Sequence, residues 1–229
     1  MKIGLQFAMP VEFHALPGAK ELEPFETISG VPFYHLAPDV VACAGGVGKV
    51  NAAMAAEIMC RRQKVDLILS PGVAGCMGDL PTGSLVVASD FVQHDMDTSA
   101  IGDPVGFVST VKQTEFPTWK PERCVEILKG FGVVATTGRV ATGDWFGVGG
   151  KRAEWIRDTF HPLLLEMEGC AVAQVCLRNN VRFAALKSVS DRLFSENQVQ
   201  EYFDFGQALE NLGAVVLPLA LALAKETEA

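Results

Sequence analysis

The chain has 229 residues, of which 49% are hydrophobic and 20% charged, and its formal net charge is −8. That composition excludes a disordered chain, which is poor in apolar residues and rich in charge. The acidic balance excludes a nucleic-acid binder, which needs a basic face to neutralise phosphate. The length suits one domain, residues 1–229, that buries its own core without staples. Six cysteines (Cys43, Cys60, Cys76, Cys124, Cys170 and Cys176) lie mostly in apolar runs and form no C-x-x-C pair. They are expected to be buried, reduced thiols of a cytoplasmic protein, neither a metal site nor a disulfide framework. The apolar start reaches Pro10 and Glu12 too soon for a signal peptide or a spanning helix. Residues 212–224 are the most apolar segment, but they are short for a bilayer and contain Pro218. They are read as a buried terminal helix, and no membrane partner is expected.

In chain order, residues 2–8 read as the first strand, and 33–36 with 40–44 as a hairpin around Pro38-Asp39. Residues 50–62 have helical spacing and end on Arg61 and Arg62, where a helix favours cations. Strands are expected at 67–70, closed by Pro71-Gly72, and at 85–89; a helix is expected at 122–128. Strand follows at 133–137 and 139–142, helix at about 150–159, strand at 163–166, helix at 169–177 and strand at 183–189. Tyr202, Phe205, Leu209, Leu212 and Val216 recur every three or four residues and mark one face of a long last helix. Alternating apolar strands and helices predict an α/β fold in which helices cover both faces of a mixed, mostly parallel twisted sheet. In such sheets ligands bind where strands end.

Gly-rich turns and carboxylates stand at those ends. Ala8-Met9-Pro10-Val11-Glu12 follows the first strand, and Gly45-Gly46-Val47-Gly48-Lys49 follows the hairpin. The latter fails the phosphate-loop spacing and lacks the hydroxyl after Lys49, so it is read as a tight turn before a helix. Pro71-Gly72-Val73-Ala74-Gly75, His94-Asp95-Met96-Asp97, Glu166-Met167-Glu168 and Ser190-Asp191 follow later strands. His94, Asp95 and Asp97 have no second His or Cys at ligand spacing and are read as loop polarity. Glu166 and Glu168 share a face if the strand stays extended. Buried there, they are either ion-paired to Lys187 or Arg182, or they receive the hydroxyls of a ligand. Asp191 is a turn cap or a general acid, and Glu12 a helix-start residue or a general base. Trp145 and Phe146 are core residues or a platform for a base.

These segments together resemble the nucleoside phosphorylase/hydrolase superfamily, and within it the 5′-methylthioadenosine/S-adenosylhomocysteine nucleosidases. The motifs are Ala8-Met9 with Glu12, Gly46-Val47-Gly48-Lys49-Val50-Asn51, Gly72-Val73-Ala74-Gly75, His94-Asp95, Gly143-Asp144, Glu166-Met167-Glu168 and Ser190-Asp191. The resemblance implies a three-layer αβα fold and hydrolysis of the C1′–N9 bond of 5′-substituted adenine nucleosides, with no cofactor or metal. It implies that Glu12 activates water, that Asp191 protonates purine N7 with help from Ser190, and that Glu168 binds the ribose hydroxyls. Met9, Val47 and Val73 would line the ribose and 5′ side, and Met167 and Phe146 would hold ribose and adenine. Glu166, Lys187 and Tyr202 complete the substrate-contacting candidates. Thr98 and Ile101 would finish the 5′ pocket of a partner subunit, which implies a homodimer.

The chain departs from that family's usual pattern at several places. Lys187 stands where Arg is usual, so a bidentate anchor is lost; Gly169 replaces Ala; Thr98, Ile101 and Trp145-Phe146-Gly147 are also unusual. Three competing readings follow: a phosphate-dependent purine nucleoside phosphorylase, a futalosine-type nucleoside hydrolase, and a nucleoside-binding protein without activity.

Overall fold

Runs of apolar residues become strands covered on both faces. In the computed structural model, which describes residues 1–226, they build one ten-stranded mixed sheet. Strands β1 (Ile3–Phe7), β4 (Val40–Ala44), β5 (Leu67–Cys76) and β10 (Arg182–Arg192) run parallel to one another. Strands β6 (Leu85–Gln93), β8 (Ala135–Thr142) and β9 (Leu164–Glu166) form a second parallel group. The groups run in opposite directions and meet twice, where β10 pairs with β6 and where the last residues of β5 pair with β9. Strands β5, β10, β6, β8 and β9 therefore close a circuit. Strands β2 (Glu26–Ile28) and β3 (Val31–Ala37) extend the sheet beyond β4, and β7 (Glu115–Pro117) pairs with β6.

Helices α1 (Pro10–Phe13), α3 (Pro121–Gly130) and α7 (Gly206–Ala224) cover one face, around Leu5, Phe7, Phe13, Leu69, Leu128, Leu212 and Leu219. Helices α2 (Lys49–Ile58) and α5 (Gly169–Asn179) cover the other, around Cys43, Ala55, Ile68, Val140 and Val172. Helix α4 (Lys151–Phe160) closes a third, smaller core with Val92, Ala141 and Leu193. The expected layering is thus present, and all six cysteines are buried free thiols.

Four expectations change. The helix expected over 50–62 is α at Lys49–Ile58 and a π-turn at Met59–Gln63. The two segments at 133–142 form the single strand β8. The long last helix is two, α6 (Gln198–Phe203) and α7, so Tyr202 does not continue the face of Leu212 and Val216. Helix α6 is tied instead to the end of β10, where Glu201 receives Arg192 at 2.6 Å and the Ser195 hydroxyl at 2.7 Å. Helix α7 begins at Gly206 and is long and apolar enough to cross a membrane. Its side chains at Leu212, Val216, Leu219 and Leu223 lie in the core.

The fourth change positions the site. Strand β5 does not stop at Ser70 but runs through Pro71 and Gly72 to Cys76. Leu67 N–H donates to Lys2 O, so residues 67, 69, 71 and 73 turn their N–H side towards β1. Pairing with β1 ends at Leu69 and pairing with β9 begins at Gly75. Pro71 falls in that gap, where its missing N–H forfeits no ladder bond. The N–H of Val73 is left there for another acceptor.

Leu219 is fully buried at the centre of the α7 face. Leu219→Ala is expected to lower the unfolding free energy by about 2–5 kcal/mol, measured by urea denaturation.

Candidate active site

Glu12 is the acceptor that fills the gap beside β5. Met9 caps α1 and Pro10 occupies its first turn, so Glu12 sits at the third helical position and its carboxylate folds back. Oε2 accepts the N–H groups of Met9 (2.9 Å) and Ala8 (3.1 Å), and Oε1 accepts that of Val73 at 2.8 Å. Burial pushes its carboxyl above the usual range, against those N–H groups and the Lys187 ammonium, which pull it down. Glu12 is therefore both a helix-start residue and a buried acid. Gly72 makes room for it, since a Cβ there would lie 2.9 Å from Glu12 Oε1 and 3.4 Å from Lys187 Nζ.

The strand does not stay extended as far as Glu168, so the shared strand face does not form, although both residues line one pocket. Strand β9 ends at Glu166, and Glu168 leaves the extended conformation (φ −132°, ψ −42°) to cap α5. The ion-pair alternative holds for Glu166: its carboxylate meets Lys187 Nζ at 3.2 Å, with both side chains almost fully buried. It also accepts the Gly169 N–H at 2.8 Å, the Glu168 N–H at 3.2 Å and the Thr142 hydroxyl. Glu168 Oε1 instead accepts the Gly48 N–H at 2.8 Å, at the start of α2. Burial, then the nearby Glu166 carboxylate, raise the Glu168 carboxyl to about 7. Lys187 stays charged: burial alone would lower it, but Glu166, Glu168 and Glu12 together hold it above its ordinary range.

Asp191 is no turn cap. It lies inside β10, where the register with β5 skips from Val189↔Ala74 to Asp191↔Gly75. Ser190 is the extra residue of this bulge, a device that re-aims side chains. Ser190 Oγ donates to Asp191 Oδ1 at 2.6 Å, and Gln198 Nε2, from α6, donates to Oδ2 at 2.8 Å. Burial raises the Asp191 carboxyl, against these two bonds.

Glu12, Glu168 and Asp191 all line one pocket. Met9, Val47, Val73, Met167, Phe146, Glu166, Ser190 and Tyr202 line it too. Phe146 and Tyr202 meet edge to face, 4.7 Å between centroids. Trp145 and Leu193 are also on the wall. Lys187 is the exception among the substrate-contacting candidates. It is absent from this lining and reaches only a smaller chamber behind Glu12, because its short ammonium is drawn to Glu166. Thr98 and Ile101 do not reach the pocket of their own chain; Thr98 bonds Asp103 at 2.8 Å, and Ile101 is 82% exposed. Gln198 and Thr142 were not legible as site residues: a lone Gln and a strand-end Thr carry no spacing signal.

The Gly-rich turn at residues 45–49 is held by a polar clamp. Lys49 Nζ meets Asp95 at 2.6 Å, and Asp144 accepts the Lys49 N–H at 2.9 Å while giving its own N–H to Asp95. The loop-polarity reading of Asp95 thus gains a structural purpose. His94 is buried, and burial lowers its imidazole to about 4, which keeps it neutral. Among the described residues no group of three or more His, Cys, Asp or Glu is arranged to hold a metal.

A raised carboxyl pKa means the folded state binds the proton more tightly, so Glu168 stabilises the fold at low pH and loses that contribution as pH rises through about 7. Glu168→Gln removes the titration. The stability of the variant relative to wild type is expected to grow from about pH 5 and level off above about pH 8, read by denaturation at each pH.

Residues 2–222 match the family model of the phosphorylase superfamily. The 5′-methylthioadenosine/S-adenosylhomocysteine nucleosidase of Oceanobacillus iheyensis is 32% identical over 236 residues, covering 99% of this chain and 100% of that protein. The enzyme of the same name from Shewanella halifaxensis is 31% identical, with 99% and 100% covered. Among solved structures, that of the Helicobacter pylori nucleosidase with butyl-thio-DADMe-Immucillin-A superposes with a TM-score of 0.89 at 25% identity, over 97% of this chain and 98% of that one. The futalosine hydrolase of Helicobacter pylori superposes with a TM-score of 0.88 at 26% identity, over the same shares. The chain belongs to the phosphorylase superfamily.

Proposed function

We propose that this protein hydrolyses the N-glycosidic bond of 5′-substituted adenine nucleosides, such as 5′-methylthioadenosine, S-adenosylhomocysteine and 5′-deoxyadenosine, and releases adenine. One observation carries the reading: Glu12, Glu168 and Asp191 share a pocket whose lining contains no basic side chain. A phosphorylase has to hold a phosphate dianion beside C1′, and a wall of carboxylates repels it. Water carries no such penalty.

Each role follows from the chemistry of its group. Cleavage builds positive charge on the ribose and negative charge on the departing purine. Asp191, whose carboxyl burial raises and which Ser190 and Gln198 orient, gives a proton to purine N7. The C1′–N9 electron pair leaves with the base, which departs as neutral adenine. Glu168, an acceptor held by the Gly48 N–H, takes the ribose hydroxyls and offsets the sugar's charge. Glu12 accepts a proton from water as the water oxygen bonds to C1′. Phe146 and Tyr202 supply apolar faces for base and sugar. Proton exchange with solvent then resets Glu12 and Asp191. The exposed Ile101, with Thr98, would complete the 5′ side of a second copy's pocket, so a homodimer in the cytoplasm belongs to this proposal, as does a role in methionine salvage.

Adenine release from 5′-methylthioadenosine, S-adenosylhomocysteine and deoxyadenosine should proceed to completion in phosphate-free buffer, with inosine slower. An absolute phosphate requirement overturns the reading, and a preference for a futalosine-type substrate over all adenine nucleosides redirects it to the futalosine hydrolase relative. Glu12→Gln and Asp191→Asn should each lower kcat by roughly a hundredfold or more. The pH profile of kcat/KM should be bell-shaped, since Glu12 works ionised and Asp191 works protonated. Near wild-type rates in both variants contradict the assigned roles.

A further inference from the structure

A second, smaller chamber lies behind Glu12. Glu12, Glu168 and Val73 border both it and the main pocket, while Gln6, Ser70, Gly72 and Lys187 belong to the chamber alone. Water centres have about 10 Å³ of room there, enough for a single molecule.

Gln6 is the anomaly in its wall. It stands in β1, whose other four residues are Ile, Gly, Leu and Phe, and it is 3% exposed. Its amide Nε2 donates to Ala52 O at 2.8 Å. Its Oε1 is buried and receives no hydrogen bond from the protein. An acceptor in that condition costs free energy unless a donor reaches it. Lys187 has the complementary surplus. Its ammonium carries three protons and one goes to Glu166. The Glu12 carboxylate and the Lys187 ammonium both flank Gly72, which has no side chain to separate them.

We propose that Gln6 and Lys187 hold the attacking water in this chamber, and that Gln6 makes the chamber fit water and nothing larger. The inference rests on the hydrolytic reading above. A nucleoside that fills the main pocket covers Glu12 from the solvent side, so the nucleophile has to come from behind it. The four positions around the water oxygen are then all used. One O–H points to Gln6 Oε1 and the other to Glu12. One lone pair accepts from Lys187, and the remaining one faces C1′. As the oxygen bonds to C1′, the C1′–N9 pair leaves with the purine, Asp191 protonates N7, and the O–H aimed at Glu12 transfers its proton there. The O–H held by Gln6 stays on the sugar as its new hydroxyl. Gln6 abstracts no proton; it fixes the direction and the size of the nucleophile.

Methanol in the reaction buffer tests this, because it competes with water for C1′ and its product, a methyl glycoside, is separable from free sugar. Wild-type enzyme should yield free sugar almost alone. Gln6→Ala widens the chamber and should yield methyl glycoside, with kcat lowered by roughly tenfold or more and KM changed by less than about threefold. Gln6→Met keeps the volume and removes the amide oxygen. It should lose kcat to a similar extent and form no methyl glycoside. Wild-type enzyme that partitions to methyl glycoside in proportion to methanol overturns the proposal whatever the variants do, as does wild-type kcat in both variants. A wild-type protein that releases no adenine overturns the hydrolytic reading itself, which separates that failure from this one.

Discussion

One buried ammonium surrounded by three carboxyl groups is the constraint on which the site depends. Lys187 pairs directly with Glu166, and Glu168 and Glu12 are close enough to hold its charge in place. Removing charge from water is costly, and a single cation does not neutralise three anions. Backbone N–H groups on Glu12, Glu166 and Glu168 make up part of the balance, and burial raises the Glu12 and Glu168 carboxyls above their usual range. The arrangement gathers three carboxyl groups around one ammonium. It also spends its only cation on an internal partner, which leaves none on the wall of the main pocket to attract phosphate.

The backbone positions these groups more than side-chain packing does. The interval between the β1 and β9 pairings on one side of β5 exposes the Val73 N–H, and Glu12 closes it. The bulge at Ser190 turns Asp191 inward from the middle of a strand. The start of α2 gives its Gly48 N–H to the Glu168 carboxylate, while the Glu168 backbone opens α5, whose first N–H goes to Glu166. Each device is a local irregularity in an otherwise regular sheet. The regular parts, buried in the two large cores, supply the rigidity that keeps the irregular parts aligned.

Much of this was legible in the sequence because apolar periodicity and strand-end composition are local signals. The strands at β1, β4, β6 and β10 and the helices α3, α4 and α5 follow their apolar runs, and Glu12, Glu168 and Asp191 stood out as acids after such runs. What stayed hidden depends on contacts distant in the chain. Gly48 and Glu168 are 120 residues apart, and nothing near either announces their bond. The bulge at Ser190 is set by the partner strand, so a cap stays open as the alternative to a general acid for Asp191. Glu166 and Glu168 were expected on one face because period two was extended beyond the point where β9 ends. Pro71-Gly72 read as a stop, since sequence alone does not say which side of a strand has lost its neighbour. The resemblance puts Lys187 against substrate, whereas its pairing with Glu166 leaves it outside the lining of the main pocket. Gln6 lies in an otherwise apolar strand, and its sequence neighbours give no sign that its amide oxygen is buried without a donor.

The account turns on water, not phosphate, meeting C1′ in a pocket walled by carboxylates. Single-turnover cleavage of 5′-methylthioadenosine in ¹⁸O-labelled water, with inorganic phosphate also present, measures this directly. The released sugar should carry the label at C1′ and no phosphate. An unlabelled sugar 1-phosphate would contradict the account.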